Sequence, residues 1–384
     1  MRKNRVAIAL SMTALVVAIL GQTSIGNAAV GAVRVALFAE NAAKVNGIQA
    51  SRRPMPGRLL ALNAKGKLPS SVLPVGRNAP GGYTHTFIVS PDVDPVQAGR
   101  VLRQTVAAIT DASATNPYLI KIEPGIYDLE GNSLFMVPYV DVEGSGEGIT
   151  TITGAIGSGT GTVVAANNSE LRQLTVKNTG EAGQQVVAIF SQSASPRLTH
   201  VTAIASGGAE NYGVHTSNGT VVMRYVTATA TGGAQSFGVI NFNSAMTVTN
   251  SALSAADAAV NYGLVSTAGG ALRMNSSTVT AAGGTIAIGV RTYNGTHILA
   301  DMTISATGGT QSTGIYNGQK SSLPTVNLLQ SRVTGSTNSI FSIGGAIKAG
   351  ASQLTGPAGR FDIGTIACVM SFDGAYNPLG AGCT

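Results

Sequence analysis

Across the middle of the chain, apolar and polar positions alternate with a period of two over short runs, and the runs return as near copies. HVTAIASGGAENYGVH begins at His200, YVTATATGGAQSFGVI at Tyr225, SSTVTAAGGTIAIGVR at Ser276 and DMTISATGGTQSTGIY at Asp301. Gly213, Gly238, Gly263, Gly289 and Gly314 recur at spacings of 25, 25, 26 and 25, each followed by an aliphatic residue: Val214, Val239, Leu264, Val290 and Ile315. Glycine pairs at Gly207-Gly208, Gly232-Gly233, Gly283-Gly284 and Gly308-Gly309 keep the same beat, with Ala258-Ala259 expected in the missing place. A period of this length fits stacked helical hairpins or stacked short strands. Density in Val, Thr, Ile and Gly weakens helices and favours strands, so the copies are expected to be strands. One copy is too short to bury its own apolar face, and copies must therefore stack and share a core. The expected fold is all-β, a right-handed parallel β-helix solenoid with coils of about 25 residues. At the usual strand spacing, roughly nine coils make a stack about 40 Å long.

Ahead of the repeats, DPVQAGRVLRQTVAAIT offers Asp94 as a helix cap, Pro95 at the first helical position, and Ala98, Leu102, Val106 and Ile109 on one face. A strand, YLIKIEPGIYDL with a turn at Pro124-Gly125, and VDVEGSGEGITTITG follow. This order of helix, strand, PG-x-Y and EGSGE resembles the opening of pectinesterase-like members of the right-handed parallel β-helix (pectin lyase-like) superfamily. The resemblance implies that the helix caps the first coil, which also suits the physics, because an open β-helix end exposes unpaired strand edges. NAAKVNGIQASRRPMPGRLLALNAKGKLPSSVLP, in the segment before residue 81, resembles leaders that precede β-rich domains in bacterial surface proteins and phage tail fibres. That likeness implies an intertwined stalk and a homotrimer. A short helix is expected over VGAVRVALFAENAAKV, ended by Gly and Pro.

The very start has Arg2, Lys3 and Arg5, an apolar run from Val6 to Leu20, and Ala28 and Ala29 after it. It reads as a signal peptide, since the run is shorter than the roughly 20 residues of a membrane span. No Cys follows the run, which argues against a lipid-anchored form. The expected organisation is a signal peptide over 1–29, a basic leader or stalk over 30–80, the capped β-helix over 81–361 and a tail over 362–384. Cys368 and Cys383, the two cysteines of the chain, close that tail if the protein is exported to an oxidising compartment; two buried thiols are the alternative. Arg34, Lys44, Arg52, Arg53, Arg58, Lys65, Lys67 and Arg77 face only Glu40, while the chain from Gly81 onward has 13 basic and 16 acidic residues, so the basic character belongs to the N-terminal segment. The leader is a solvated basic linker or touches an acidic polysaccharide or anionic envelope. Without interleaved aromatics, nucleic acid is not an expected partner.

Equivalent positions of successive coils form columns. Leu198, Met223, Val248, Met274 and Leu299 read as core. His200, Tyr225, Asn250, Ser276 and Asp301 read as a bend between strands, with chemistry at His200 and Asp301 as the alternative. Tyr212, Phe237 and Tyr262 share parity with the aliphatic column at Val214, and are expected as an internal, structural aromatic ladder; a flat platform for sugar rings is the alternative. His215, Ile240, Val265, Arg291 and Tyr316 have the opposite parity and face out. His215, Arg291 and Tyr316 are the candidate ligand contacts there, against an ordinary wet face.

Catalysis on polysaccharides needs clustered carboxylates with Arg or Lys assisting. Between Gln184 and Ala300 the chain has only Glu210 and Asp257, and it lacks the Asp-Phe-aliphatic-aromatic-Gly stretch expected of pectinesterases, so no catalytic residue carries over from them. There is no GxSxG elbow and no Cys-rich zinc set. No catalytic residue, metal or cofactor is expected. The reading is an exported or cell-surface β-helix that is structural or binds carbohydrate. Its rivals are a polysaccharide-active enzyme with a divergent site in which Glu170, Glu181 and Glu210 converge, and a pure spacer.

Overall fold

The computed structural model describes residues 82–384 except 158, 268 and 320–322, together with three short strands further forward. Those strands, Lys44–Val45, Ile48–Ser51 and Leu59–Leu60, form a small sheet by themselves within a first unit, Met1–Gly82. Lys44 and Val45, at the end of the expected leader helix, are thus strand. The signal peptide, the rest of that helix and the remainder of the leader lie outside the described residues, and with them the stalk and trimer. Among the described residues no helix is long and apolar enough to cross a membrane.

The second unit, Tyr83–Thr384, is a parallel β-solenoid. Each central coil supplies three strands. In one turn of the stack, Thr220–Arg224 continues through Tyr225 into Val226–Thr231 as a single bent strand, Gly232-Gly233 turns the chain, and Gln235–Phe242 follows. The last of these belongs to a ten-stranded sheet that runs from Leu134–Phe135 to Ala358–Arg360, one strand per coil. The registers confirm the repeat: Val214 pairs with Val239, Val239 with Leu264, Leu264 with Val290, and Val290 with Ile315.

The bend was legible. His200, Tyr225, Asn250, Ser276 and Asp301 all have positive φ, between 50° and 54°. A left-handed residue there breaks the ladder, and buried serines repair the break. Ser251 Oγ accepts from Val226 N at 3.0 Å and donates to Thr249 O at 2.8 Å; Ser277 serves Ser251 N and Asn275 O in the same way. The Gly-Gly turn carries one correction. Thr231 pairs with Ala256, so Gly232-Gly233 corresponds to Asp257-Ala258 and not to Ala258-Ala259. Asp257 takes the left-handed position at φ 61°, which short polar side chains tolerate best after glycine. One of the two central carboxylates is therefore a turn residue.

Helix α1 (Pro95–Ala107) caps the first coil as expected, with Asp94 accepting from Val96 N at 3.0 Å. Ala98, Leu102, Val106 and Ile109 are buried. Gly99 lies against the Asp128 backbone, where a Cβ would sit 2.0 Å from the carbonyl oxygen. At the other end Cys368 and Cys383 form a disulfide, and the tail folds back so that Cys368 N donates to Ala381 O at 2.9 Å. The tail thus covers part of the last coil's edge. Thiol labelling of the native chain without reductant is expected to find no free cysteine, and Cys383→Ser to lower stability by about 3 kcal/mol, the value of a loop this short. Labelling of both thiols in the native protein would contradict this.

Candidate functional site

The aromatic column is not internal. Tyr212, Phe237 and Tyr262, with Val187, Val265 and Ile288, form a cluster of their own, separate from the main core that holds Val214, Val239 and Leu264. Alternation fails at the recurrent glycine, where the inter-strand pairing skips Gly213, Gly238, Gly263 and Gly289. Ser236 and Asn241 are fully buried, while Phe237 and Ile240 between them belong to or pack on the outer cluster. Two successive residues, Gly238 and Val239, therefore point inward. The reason is a pinch in the coil. A Cβ on Gly263 would lie 2.4 Å from Val279 Cγ1 of the facing sheet, one on Gly289 2.6 Å from Ile304 Cγ2, and one on Gly314 2.4 Å from Val333 Cγ1. The glycine admits the opposing side chain and shifts the parity of everything before it.

Consequently the Tyr212 and His215 columns share the outer face of the ten-stranded sheet. Tyr212 stacks on Phe237 at 4.8 Å and 7°, Phe237 on Tyr262 at 5.1 Å and 17°, and Tyr212 on His215 at 5.3 Å. Ring faces spent on one another leave no flat platform, and the three rings are only 6%, 7% and 8% exposed. The ladder is a support. His215, flanked also by Phe190 at 5.0 Å, is pushed by burial down to about 4 and is neutral at pH 7.

What the ladder supports is a cation. The Arg291 guanidinium carbon lies 5.7, 4.7 and 5.1 Å from the ring centroids of Tyr262, Tyr293 and Tyr316, and Nη1 donates to Tyr262 Oη at 3.0 Å. Its Nε is buried without an acceptor. Thus two of the three predicted contacts, Arg291 and Tyr316, are brought together, while His215 sits three coils away beside Tyr212. Tyr293 was missed in the sequence, although it stands two residues beyond Arg291 with the same outward parity. Phe190 and Phe341 extend the same column into coils whose copies had decayed beyond easy reading.

The three carboxylates of the rival reading do not converge. Glu210 accepts from Tyr212 Oη at 2.6 Å and Gln185 Nε2 at 2.8 Å on the ten-stranded sheet. Glu170 lies in another sheet, held by Arg172, Arg197 and Thr199, and Glu181 is exposed in a turn. Among the described residues Glu170 belongs to the densest cluster of ion pairs. Arg172 reaches Asp141 at 3.3 Å, Glu143 at 2.7 Å and Glu170 at 3.2 Å, and donates to Tyr83 Oη at 2.8 Å. Burial alone would raise Glu143 and Glu170, but the cations and hydrogen bonds around them outweigh it and hold both below the usual range. Burial alone would lower Arg172, but its hydrogen bonds to Tyr83 and Glu143 outweigh it and hold the guanidinium up. These acids are committed to ion pairs. His200 stacks on Tyr225 at 4.5 Å, and its Nδ1 lies 3.8 Å from Glu147, while Asp301 is an exposed bend residue. Among the described residues no three His, Cys, Asp or Glu gather as metal ligands.

These features define a parallel β-solenoid protein with an aromatic stripe on one outer face that carries a single tyrosine-walled arginine, Arg291. No protein-family profile matches the chain, and no curated protein matches it. Solved structures similar to it include a pectin methylesterase from Erwinia chrysanthemi, at 12% identity and TM-score 0.43, covering 62% of this chain and 82% of that one. The A-module of a mannuronan C-5 epimerase from Azotobacter vinelandii is similar at 14% identity and TM-score 0.36, covering 77% and 98%. A protein of Geobacillus virus E2 is similar at 8% identity and TM-score 0.46, covering 75% and 61%.

Proposed function

We propose that this chain is an exported carbohydrate-binding surface protein, and that its glycan lies along the outer face of the ten-stranded sheet without being cleaved there. The observation that carries the reading is Arg291: a guanidinium walled by Tyr262, Tyr293 and Tyr316, with a buried N–H that has no acceptor. Tyrosine rims and a fixed cation suit a ligand with hydroxyl groups and apolar ring faces, and a preorganised guanidinium suits a carboxylate or sulfate on it. The disulfide agrees with an oxidising compartment.

Binding without cleavage is favoured by the state of the groups nearby. Proton transfer at neutral pH works best from groups that titrate near neutrality. Here burial and Glu210 push the Tyr212 hydroxyl well up, and burial takes His215 down to about 4, so neither exchanges a proton readily at pH 7. Glu210, the carboxylate bonded to Tyr212, is already engaged by Tyr212 and Gln185.

Calorimetric titration against a panel of acidic and neutral polysaccharides is expected to find binding that Arg291→Ala or Tyr316→Ala weakens about tenfold, the effect of roughly 1.4 kcal/mol. A parallel assay is expected to release neither unsaturated oligosaccharides nor methanol above a heat-killed control. Unchanged affinity in both variants would refute the binding site. Product release that tracks the native protein would refute the non-cleaving reading.

A further inference from the structure

The column that carries Arg291 continues far beyond the aromatic ladder. Through the strand registers it runs back from His215 to Phe190, Val164 and Phe135, which stands in the first strand of the ten-stranded sheet. At that end helix α1 lies beside the strand, and Arg100, Arg103, Gln104 and Ala107 of the helix line a pocket of about 340 Å³ with Ser133 and Phe135. Arg100 and Arg103 are three residues apart on the helix and so share a face. Among the described residues neither makes an ion pair. Arg103 Nε is buried without an acceptor, the same condition as Arg291 Nε.

The contrast with Arg172 is instructive. That guanidinium, of similar sequence context in a β-rich coil, is saturated by three carboxylates and a tyrosine. Arg100 and Arg103 sit on a helix, PVQAGRVLRQTVA, that contains no acid at all. Gln104 and Ser133 add neutral donors to the pocket, and Phe135, 62% exposed, gives it an apolar wall. A donor-rich pocket with two guanidinium forks and no neutralising charge fits an oxyanion, because a fork meets the paired oxygens of a carboxylate or sulfate with two parallel hydrogen bonds. Among the described residues no carboxylate lines the pocket.

We propose that this pocket is a second subsite, which binds a carboxylate or sulfate group of an acidic sugar. The sugar ligand rests on the glycan reading given above. Phe135 is six rungs from Arg291 in one column, so the pocket and Arg291 are separated by roughly 29 Å along the stack, and one extended acidic chain on the stripe meets both. The cap helix then has a second task besides closing the first coil: its exposed face anchors one end of the ligand.

The test uses the full chain, so the basic residues of the leader contribute equally to every sample. Sulfated dextran oligosaccharides, unsulfated oligosaccharides of the same length, and vesicles containing phosphatidylserine are titrated into the wild type, Arg100→Gln/Arg103→Gln, Arg103→Lys and Arg291→Gln. The double variant is expected to bind the sulfated oligosaccharide at least tenfold more weakly, to bind the unsulfated one unchanged, and to keep the wild-type unfolding midpoint. Arg103→Lys, which keeps the charge and loses the fork, is expected to fall between. Wild-type affinity of the double variant for the sulfated oligosaccharide would overturn the proposal. So would a loss confined to vesicle binding, which would assign the arginines to a lipid surface. Failure of the glycan reading looks different: inorganic sulfate would raise the unfolding midpoint of the wild type and not of the double variant, while neither oligosaccharide bound. That outcome upholds the anion pocket and overturns its sugar ligand.

Discussion

Gly263→Val is expected to destabilise the solenoid by about 3 kcal/mol or more, as read from urea or guanidinium unfolding of the full chain. The Cβ alone would stand 2.4 Å from Val279 Cγ1, 2.8 Å from Gly289 O and 3.0 Å from Thr280 O. Two of those three are backbone oxygens of neighbouring strands, which cannot move without breaking ladder hydrogen bonds. Overpacking of a tight core costs about 1–3 kcal/mol when side chains can give way, and here the backbone itself must shift. Gly131 is the control. A Cβ there meets nothing within 4 Å, and Gly131→Ala is expected to leave the midpoint unchanged within about 0.5 kcal/mol. Equal midpoints for Gly263→Val and the wild type would remove the pinch as the cause of the outward aromatic column.

Acid is expected to destabilise the protein well above the range where surface carboxylates titrate. His297 is fully buried in the column of Leu272 and Val326, its Nε2 lies 2.8 Å from Asn294 O, and its Nδ1 has no partner. Burial drives its pKa down to about 4. The sign follows from the proton count. Below the unfolded value near 6.5 the unfolded chain binds a proton that the folded chain refuses, so stability present above pH 6.5 is lost as pH falls toward 4. The full loss from His297 is about 3 kcal/mol. His215 acts in the same direction and over the same window. Glu143 and Glu170, held below the usual range, add to the loss only at still lower pH. Unfolding free energy measured from pH 7.5 to 4 should therefore fall steeply for the wild type and less steeply for His297→Leu, whose side chain matches its column neighbours. Parallel pH profiles for the two proteins would show that His297 does not set the acid limit.

Much of the unit was legible because a solenoid writes local geometry repeatedly. The residues that need left-handed backbone, at Tyr225 and its equivalents and at the Gly-Gly turns, recur at the coil period, and a ladder averages out the noise of any one copy. Even so, a single substitution misled the alignment, since Asp257 performs the glycine's task with a different side chain. The buried Asn and Ser ladders were not anticipated. The parity that turns His215, Ile240 and Val265 outward puts Thr216, Asn241 and Ser266 inside, where each is fully buried although polar, and Asn241 donates to Ser244 O at 2.9 Å and Ser266 Oγ at 3.2 Å. A column inside a solenoid can be polar when the residue one coil above or below supplies its partner.

The site was legible in membership and not in arrangement. Arg291 and Tyr316 were singled out because period and parity place them outside, and that is a property of one strand. Whether Tyr212, Phe237 and Tyr262 stood inside or outside depended on Gly213 and its equivalents, and those glycines shift the parity only because Val279, Ile304 and Val333 of the opposing sheet press into them. No residue adjacent in sequence announces that pressure. The meeting of Arg100 and Arg103 with Phe135 is of the same kind, a helix face brought to a strand end by packing. By itself, then, the sequence determined the strands, the coil period, the bends and the N-terminal helix, which follow from backbone preferences and hydrophobic periodicity within a few residues. The tertiary structure alone decided which face carries the aromatic column and which cations lie unpaired, because both depend on contacts between sheets and coils that only stacking creates.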